Sequence, residues 1–432
     1  MREAPRFDYL LVGGGLAAVS AIDGIRDVDA GGSILLLSEE SEPPYQRPPL
    51  SKEYLRHGEL PREMLHVKPE GWYESRGVAL ELRQRVLALD AGARRVTTAR
   101  GNEYRGERLL LATGGRPRRL AAPGEALAGV HVLRTVEDAE AIRDAAGGGG
   151  RAVLVGAGFV GMELAGSLTT LGVSCVVVET LDRAWPNVLP RRLSEAIHAL
   201  YRERGVEIRL RSRLESFEGT KRVEGVRAGG ERIDCDFAVV GVGMDPLDGL
   251  AADAGLAVGD GVRVDAFGES SHPHVYAAGD VARHPDPVFG GTTRTEHWEH
   301  AREQGRRTGR NMAGEREPFD LVPHFFSEAF EWKLAALGRP AAADRVVMRG
   351  TPGAGPSIAF CEREGRLCGI VLVDDPGSLE ACRALVRERA PVADREAALA
   401  DPDVPLEAIA RDGTGRDGGA DGDGTGKKGG RR

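Results

Sequence analysis

The sequence predicts an α/β fold: two Rossmann-like βαβ units followed by a C-terminal α+β domain. Three observations predict it. A strand, a glycine turn, a helix, a second strand and an acid follow one another twice, first from residue 7 and again from residue 151. The chain, at 432 residues, exceeds what one hydrophobic core usually organises, so two or three domains are expected. From about Phe319 the composition shifts to β-rich runs and a hairpin.

Residues 7–12, FDYLLV, are an apolar run bounded by glycines, which reads as a buried parallel strand. Gly13, Gly15 and Ala18 follow in a G-x-G-x-x-A pattern. The first permits the tight turn, the second lets a pyrophosphate approach the backbone, and the third lets helix and strand pack closely. Phosphates then sit on a helix N-terminus. Residues 34–37 close the unit, and Glu39 lies just past them, where an acid accepts ribose hydroxyls. The next stretch, PPYQRPPLSK, holds four prolines, which exclude helix and inner sheet. It is a stiff segment carrying Arg47 and Lys52 from the sheet's carboxyl edge; read alone, it is a surface loop with two solvated cations.

The run E-x(5)-Y-x-R-P-P-L-S-K after a GxGxxA unit resembles the FAD-binding start of the ferredoxin-reductase branch of the FAD/NAD-linked reductases. That branch holds putidaredoxin and rubredoxin reductases, reductase components of dioxygenases, and apoptosis-inducing factor. The resemblance implies FAD as cofactor, with Glu39 on the adenosine ribose, Arg47 at the pyrophosphate and Lys52 beside the isoalloxazine.

Composition excludes other classes. A net charge of -8 gives no footprint for nucleic acid or anionic membrane. No apolar run is long enough to span a bilayer, and the first strand starts within a few residues of Met1, so neither membrane span nor signal peptide is expected and the protein is placed in the cytoplasm. Cys175, Cys235, Cys361, Cys368 and Cys382 are scattered, without C-x-x-C or C-x(4)-C spacing. Metal ligation and a redox-active disulfide are therefore not expected, and the thiols read as buried. No cysteine lies between Glu39 and Lys52, where coenzyme-A disulfide reductases of this fold keep theirs, so flavin electrons are expected to leave without a protein thiol.

Val86 lies on a β-rich run; the resemblance puts its backbone at the adenine, while the residue alone reads equally as core. Ala112, Thr113, Gly114, Gly115, Arg116 and Pro117 match the family's second FAD signature, after which the chain crosses into the next domain. Arg134 matches an arginine that reaches back to FAD. The second fingerprint has its own strand over residues 151–155, then Gly156, Gly158, Phe159, Val160 and Gly161, a helix, a strand over residues 175–178, and Glu179. Two such units imply two dinucleotides. Glu179 favours the free 2′-hydroxyl of NADH over the phosphate of NADPH, a preference softened by Arg183. Glu163, in the first helical turn, suits the helix dipole; the resemblance turns it to the nicotinamide, and a Lys52–Glu163 ion pair partly shielded from water is expected.

Gly243, in GVGMDP, resembles the return crossing near the nicotinamide. Asp280 ends the short strand of HVYAAGD, where open α/β sheets bind ligands, and also suits an N-cap. The resemblance assigns it a ribityl hydroxyl. A long amphipathic helix follows, its start carrying Glu296, His297 and Trp298. Trp298 matches a residue beside the flavin, and His297 matches the histidine of apoptosis-inducing factors. Acid–base work is not expected of His297, because the cofactors carry the chemistry. Phe325 and Phe326 read as core or as a wall of the flavin.

The expected domains are 1–118 with 244–316 for FAD, 119–243 for NAD, 317–410 for the C-terminal reductase domain, and a disordered tail over 411–432. The expected activity is NADH-dependent reduction of FAD, with electrons passed to a small iron-sulfur protein such as a ferredoxin or rubredoxin, by a monomer or homodimer. An NADH oxidase, a quinone or monodehydroascorbate-type reductase, and a redox sensor like apoptosis-inducing factor stay open.

Overall fold

The structure, a computed structural model, describes residues 4–56 and 60–411. Of the expected disordered tail only Arg411 falls inside that range, where it ends the helix Leu406–Arg411; the rest lies outside the described residues.

The apolar runs become central strands because both their faces are covered. Arg6–Val12 pairs in parallel with Ile34–Leu37 on one side and with Glu103–Leu111 on the other. Val78–Glu81 extends the sheet beyond Ile34–Leu37, and Val275–Ala277 joins Glu103–Leu111 after a long excursion of the chain. In register, Val12 faces Leu37 and Leu111, so the residues that follow these strands emerge at one edge. Gly13, Glu39, Ala112 and Asp280 all leave from that edge.

Helix Leu16–Val28 covers one face and packs against helix Trp298–Met312 almost backbone to backbone. A Cβ on Gly305 would lie 2.2 Å from the Ala17 carbonyl oxygen, and one on Gly309 2.1 Å from that of Ala21. The long helix, whose start was expected to carry Glu296, begins two residues later: His297 is its N-cap, in extended conformation, and Trp298 its first residue.

The second unit repeats the plan. Glu207–Arg209, Ser174–Val178, Arg151–Val155, Phe237–Val240 and Val130–Val132 form a parallel sheet in that order. Val155 faces Val178 and Val240, again gathering the glycine turn and Glu179 at a carboxyl edge. Gly115–Pro117 and Met244–Pro246 pair with each other in antiparallel fashion, so the outgoing and returning crossings lie side by side.

The last sheet is antiparallel, in the order His324–Ala329, Trp332–Gly338, Arg366–Val373, Ser357–Arg363 and Arg345–Arg349. One face shares a core with the second unit, where Ala336, Cys361 and Val371 pack with Leu154, Trp185 and Tyr201. All five cysteines are free and buried. Cys361 and Cys368 lie on adjacent strands of a hairpin, and Cys368 Sγ donates to Cys361 O at 3.3 Å.

Candidate active site

A continuous cavity of about 1870 Å³ runs between the carboxyl edges of the two parallel sheets. Single small-molecule clefts reach roughly 1,000 Å³, so this space exceeds the needs of one ligand. Both glycine turns open onto it. Gly15 and Gly158 have extended backbones, and a Cβ would meet nothing within 4 Å at Gly15 and only the Gly241 carbonyl oxygen, at 3.9 Å, at Gly158. The third fingerprint residues are different. Ala18 and Gly161 do not reach the cavity; they close helix onto strand, and a Cβ on Gly161 would lie 1.9 Å from Gly156 O. Their task is the close packing expected of the third fingerprint position.

At the first edge Glu39 is largely exposed, lines the cavity and lies 3.6 Å from Arg85. Val86 lines the same end. Arg47 is not a solvated loop cation. It bonds Glu40 at 2.5 Å, the Tyr45 hydroxyl at 2.9 Å and the Arg134 carbonyl at 2.6 Å, while Tyr45 donates to Glu40. The proline-rich segment is thus tied down by an acid that the sequence reading passed over. Arg134 itself pairs with Asp280 at 3.2 Å, joining the start of the second unit to the end of the first sheet. Thr113 donates to Leu247 O at 2.8 Å, and Ala112, Gly114 and Arg116 continue the wall toward Gly243.

At the second edge both oxygens of Glu179 accept backbone N–H groups, from Ala157 at 2.8 Å and from Leu181 at 2.8 Å. The carboxylate is therefore fixed in place, with lone pairs left for a hydroxyl. Arg183 does not soften this site: it is held by Asp182 and by Pro186 O, both at 3.0 Å, and is not on the cavity wall.

Where the two halves meet, Lys52 Nζ lies 2.7 Å from Glu163 Oε2, with side chains 9% and 8% exposed. Glu163 also accepts from Ser51 Oγ at 2.5 Å and from Ser327 Oγ at 2.6 Å. A buried carboxylate with one ammonium and two hydroxyl donors is well compensated. Ser51 adjoins Lys52 in the chain, but Ser327 comes from the C-terminal sheet, and no local pattern marks it.

Aromatic rings complete the junction. Phe159 stacks on Phe325 at 6.0 Å and 15°, with Trp185 and His297 also around it; Phe325 and Phe326 both lie on the cavity wall, and Phe325 packs against the shared core as well. His297 Nε2 faces the Phe326 backbone, 2.9 Å from its N and 3.3 Å from its O. His297 Nδ1 and the Trp298 Nε1 donor are buried and without partners among the described residues, and both residues line the cavity. Open space above two glycine turns, unpartnered ring nitrogens and paired Lys52 and Glu163 are the features a flavin and a second dinucleotide require, so the residues fit FAD and NADH.

Burial pushes His297 down to about 4, and also lowers His284 and His300, whose rings lie 4.9 Å apart beside Phe319. The folded protein thus refuses protons that the unfolded chain accepts below its ordinary value of about 6.5. Stability should be fully present above that pH and fall as pH drops below it, by up to about 1.4 kcal/mol per pH unit for each histidine, the loss from His297 running down to about 4. His300, with no partner on either ring nitrogen among the described residues, is the cleanest probe. His300→Phe should flatten the pH dependence of the denaturant midpoint by about one proton; an unchanged slope would show that His300 does not contribute.

Residues 7–305 match the pyridine nucleotide-disulphide oxidoreductase family, and residues 324–410 match the reductase C-terminal family. A probable ferredoxin reductase, CtmF of Castellaniella defragrans, is 39% identical over 404 residues, covering 93% of this chain and 98% of the relative. The crystal structure of the ferredoxin reductase for the CYP199A2 system of Rhodopseudomonas palustris matches with a TM-score of 0.89 and 32% identity, covering 93% of this chain and 100% of that one. A covalent putidaredoxin reductase–putidaredoxin complex matches with a TM-score of 0.89 and 29% identity, over 96% of this chain and 100% of that one. With matching family, cavity and paired glycine turns, the chain belongs to the pyridine nucleotide-disulphide oxidoreductase family and carries that family's reductase C-terminal domain.

Proposed function

We propose that the protein is an NADH-dependent FAD reductase that passes electrons one at a time to a small iron-sulfur protein, a ferredoxin or rubredoxin. The observation that carries this is the single cavity joining both glycine turns, with the buried Lys52–Glu163 pair at the junction and no cysteine on its wall. The flavin, when bound, supplies acceptance of a hydride and release of single electrons. The chain's share is to bind, align and exclude water.

Gly13, Gly15 and Arg47 would hold one pyrophosphate, with Glu39 and Val86 at the adenosine end and Arg134 and Asp280 nearer the reacting ring. Gly156, Gly158 and Glu179 would hold the second dinucleotide, with Phe159 and Val160 on the wall of the junction. Trp298, bracketed by Arg302 at 5.0 Å, would border the flavin toward the acceptor. His297, kept neutral by burial, would present Nδ1 to the ligand rather than shuttle protons. Burial also raises every thiol, Cys175 to about 11 and Cys382 to about 12, so they stay protonated and inert.

The domain division 1–118 with 244–316, 119–243 and 317–410 goes with this reading, supported by the two crossings that pair at Gly115–Pro117 and Met244–Pro246. Among the described residues no helix is long and apolar enough to cross a membrane. Buried, unpaired thiols agree with a reducing, cytoplasmic setting. Electron transfer to iron-sulfur partners is supported by relatives that include a rubredoxin-NAD(+) reductase of Pseudomonas putida.

The test is anaerobic bleaching by NADH in stopped flow, followed by challenge with ferredoxin, rubredoxin, quinone or oxygen. One iron-sulfur protein should reoxidise the flavin at least about tenfold faster than quinone or oxygen, as an electrostatically matched partner does. A persistent charge-transfer band with a changed sedimentation coefficient would overturn turnover in favour of sensing.

A further inference from the structure

The Lys52–Glu163 pair separates two spaces. On one side is the large cavity; on the other is a second, polar cavity of about 230 Å³, bounded by the same two side chains and by Arg56, Gly166, Ser167 and Thr170. At about 30 Å³ per water, it has room for several.

Its walls form a track from inside to outside. Glu163, Ser167 and Thr170 are one stripe of the helix Phe159–Thr170, and the stripe goes from buried Ser167 to exposed Thr170. Lys52 and Arg56 are likewise one turn apart, with Arg56 N donating to Lys52 O at 2.9 Å. The side chains that frame the passage are tethered: Ser167 Oγ to Ser51 O at 2.6 Å, and Arg56 to Glu328 at 3.7 Å. At the mouth, Arg204 and Glu331 pair while both are about half exposed to solvent.

The reaction proposed above, on which this inference rests, leaves a proton to dispose of. NADH delivers two electrons and one proton as hydride. Two one-electron acceptors remove only the electrons, so one proton per NADH must return to solvent. The large cavity is the space the nucleotides fill, and the Phe159–Phe325 stack crowds the junction on that side. Lys52 and Glu163 are the titratable pair that touches both spaces. We infer that the second cavity is a proton outlet: an aqueous passage through which the Lys52–Glu163 pair exchanges the surplus proton with bulk solvent, on the side away from the nucleotides.

Gly166→Leu tests this without touching the pair. Gly166 lines the passage, and a Cβ there would meet only the Tyr201 hydroxyl at 3.7 Å and Phe330 N at 4.0 Å, ordinary contacts that leave the passage as the space for a larger side chain. NADH-reduced protein is mixed anaerobically with ferricyanide in weak buffer, and proton appearance is followed with a pH-indicator dye alongside flavin colour. In the unaltered protein the two signals should coincide. In Gly166→Leu bleaching by NADH should change less than about twofold, while the proton lags recovery of colour by at least about tenfold, the order expected when a proton-transfer route is lost. A variant that bleaches normally and shows no lag overturns the outlet and leaves the proposed function standing; unaltered protein that NADH cannot bleach overturns the function itself. A second measurement needs no substitution. Saturating NAD⁺ fills the nucleotide side, and proton release should keep pace with colour; release that slows with NAD⁺ would route the proton through the large cavity and sink the inference.

Discussion

Lys52→Ala should slow the bleaching of the flavin by NADH about a hundredfold, roughly 2.7 kcal/mol of transition-state alignment, while FAD retention changes only a few-fold. The asymmetry follows from where Lys52 sits. Its ammonium is held by Glu163 at 2.7 Å and by Pro48 O at 3.3 Å, at the junction of the two halves rather than over either glycine turn. Removing it therefore spares the pyrophosphate cradles and leaves Glu163 with only the Ser51 and Ser327 hydroxyls. Breaking a buried pair from one side costs on the order of 3–5 kcal/mol, because the surviving charge is stranded. Stability should thus fall in Lys52→Ala and recover in Lys52→Ala/Glu163→Gln, where the stranded charge is gone. The rate should not recover, since the ammonium is still missing. Unchanged bleaching in the single variant would remove Lys52 from the reaction; a rate restored in the double variant would reduce its role to packing.

What the sequence disclosed and what it hid divide along a physical line. Positions with a local backbone requirement were legible: Gly13 has φ +113° with a Cβ site 2.2 Å from Ala112 O, and Gly156 has φ +103°, so only glycine serves at either turn. The apolar runs 7–12 and 34–37 were legible for a similar reason, because strands buried on both faces cannot alternate. Contacts made by tertiary placement were not. Ser327 reaches Glu163 only because the strand His324–Ala329 packs across helix Phe159–Thr170, and nothing in HFFSEA announces it. Glu40 is adjacent to the expected acid Glu39, yet it is Glu40 that anchors Arg47, a difference of one residue decided by which side chain turns inward. Arg183 erred in the other direction. Its spacing suggested a cofactor contact, and Asp182 with Pro186 O took its guanidinium instead.

The second large effect separates the two dinucleotides. Gly15→Val should yield folded but colourless protein, and Gly158→Val should yield yellow protein that NADH hardly bleaches. These glycines are chosen because valine strains neither fold. Gly15 has φ -99° and ψ 178°, Gly158 has φ -81° and ψ -166°, and both are helix N-caps with almost no protein atom in the path of a Cβ. Whatever the side chain displaces is therefore ligand. The second fingerprint glycine is the place where a pyrophosphate touches the backbone, and a branched side chain there should cost at least about a hundredfold in affinity, near 2.7 kcal/mol. Gly13 and Gly161 would give no such information: a Cβ at either falls within 2.2 Å of a carbonyl oxygen, so loss of colour would report a damaged fold. Circular dichroism of the Gly15→Val protein should overlay that of the flavin-stripped parent. If the outcomes cross, with Gly15→Val yellow and Gly158→Val colourless, the two halves have been assigned to the wrong cofactors. If Gly158→Val bleaches at the parent's rate, hydride does not come from a nicotinamide bound at the second turn. Only the uncrossed pattern is compatible with FAD on the sheet of Arg6–Val12 and NADH on that of Arg151–Val155, their reacting rings meeting beside Lys52 and Glu163.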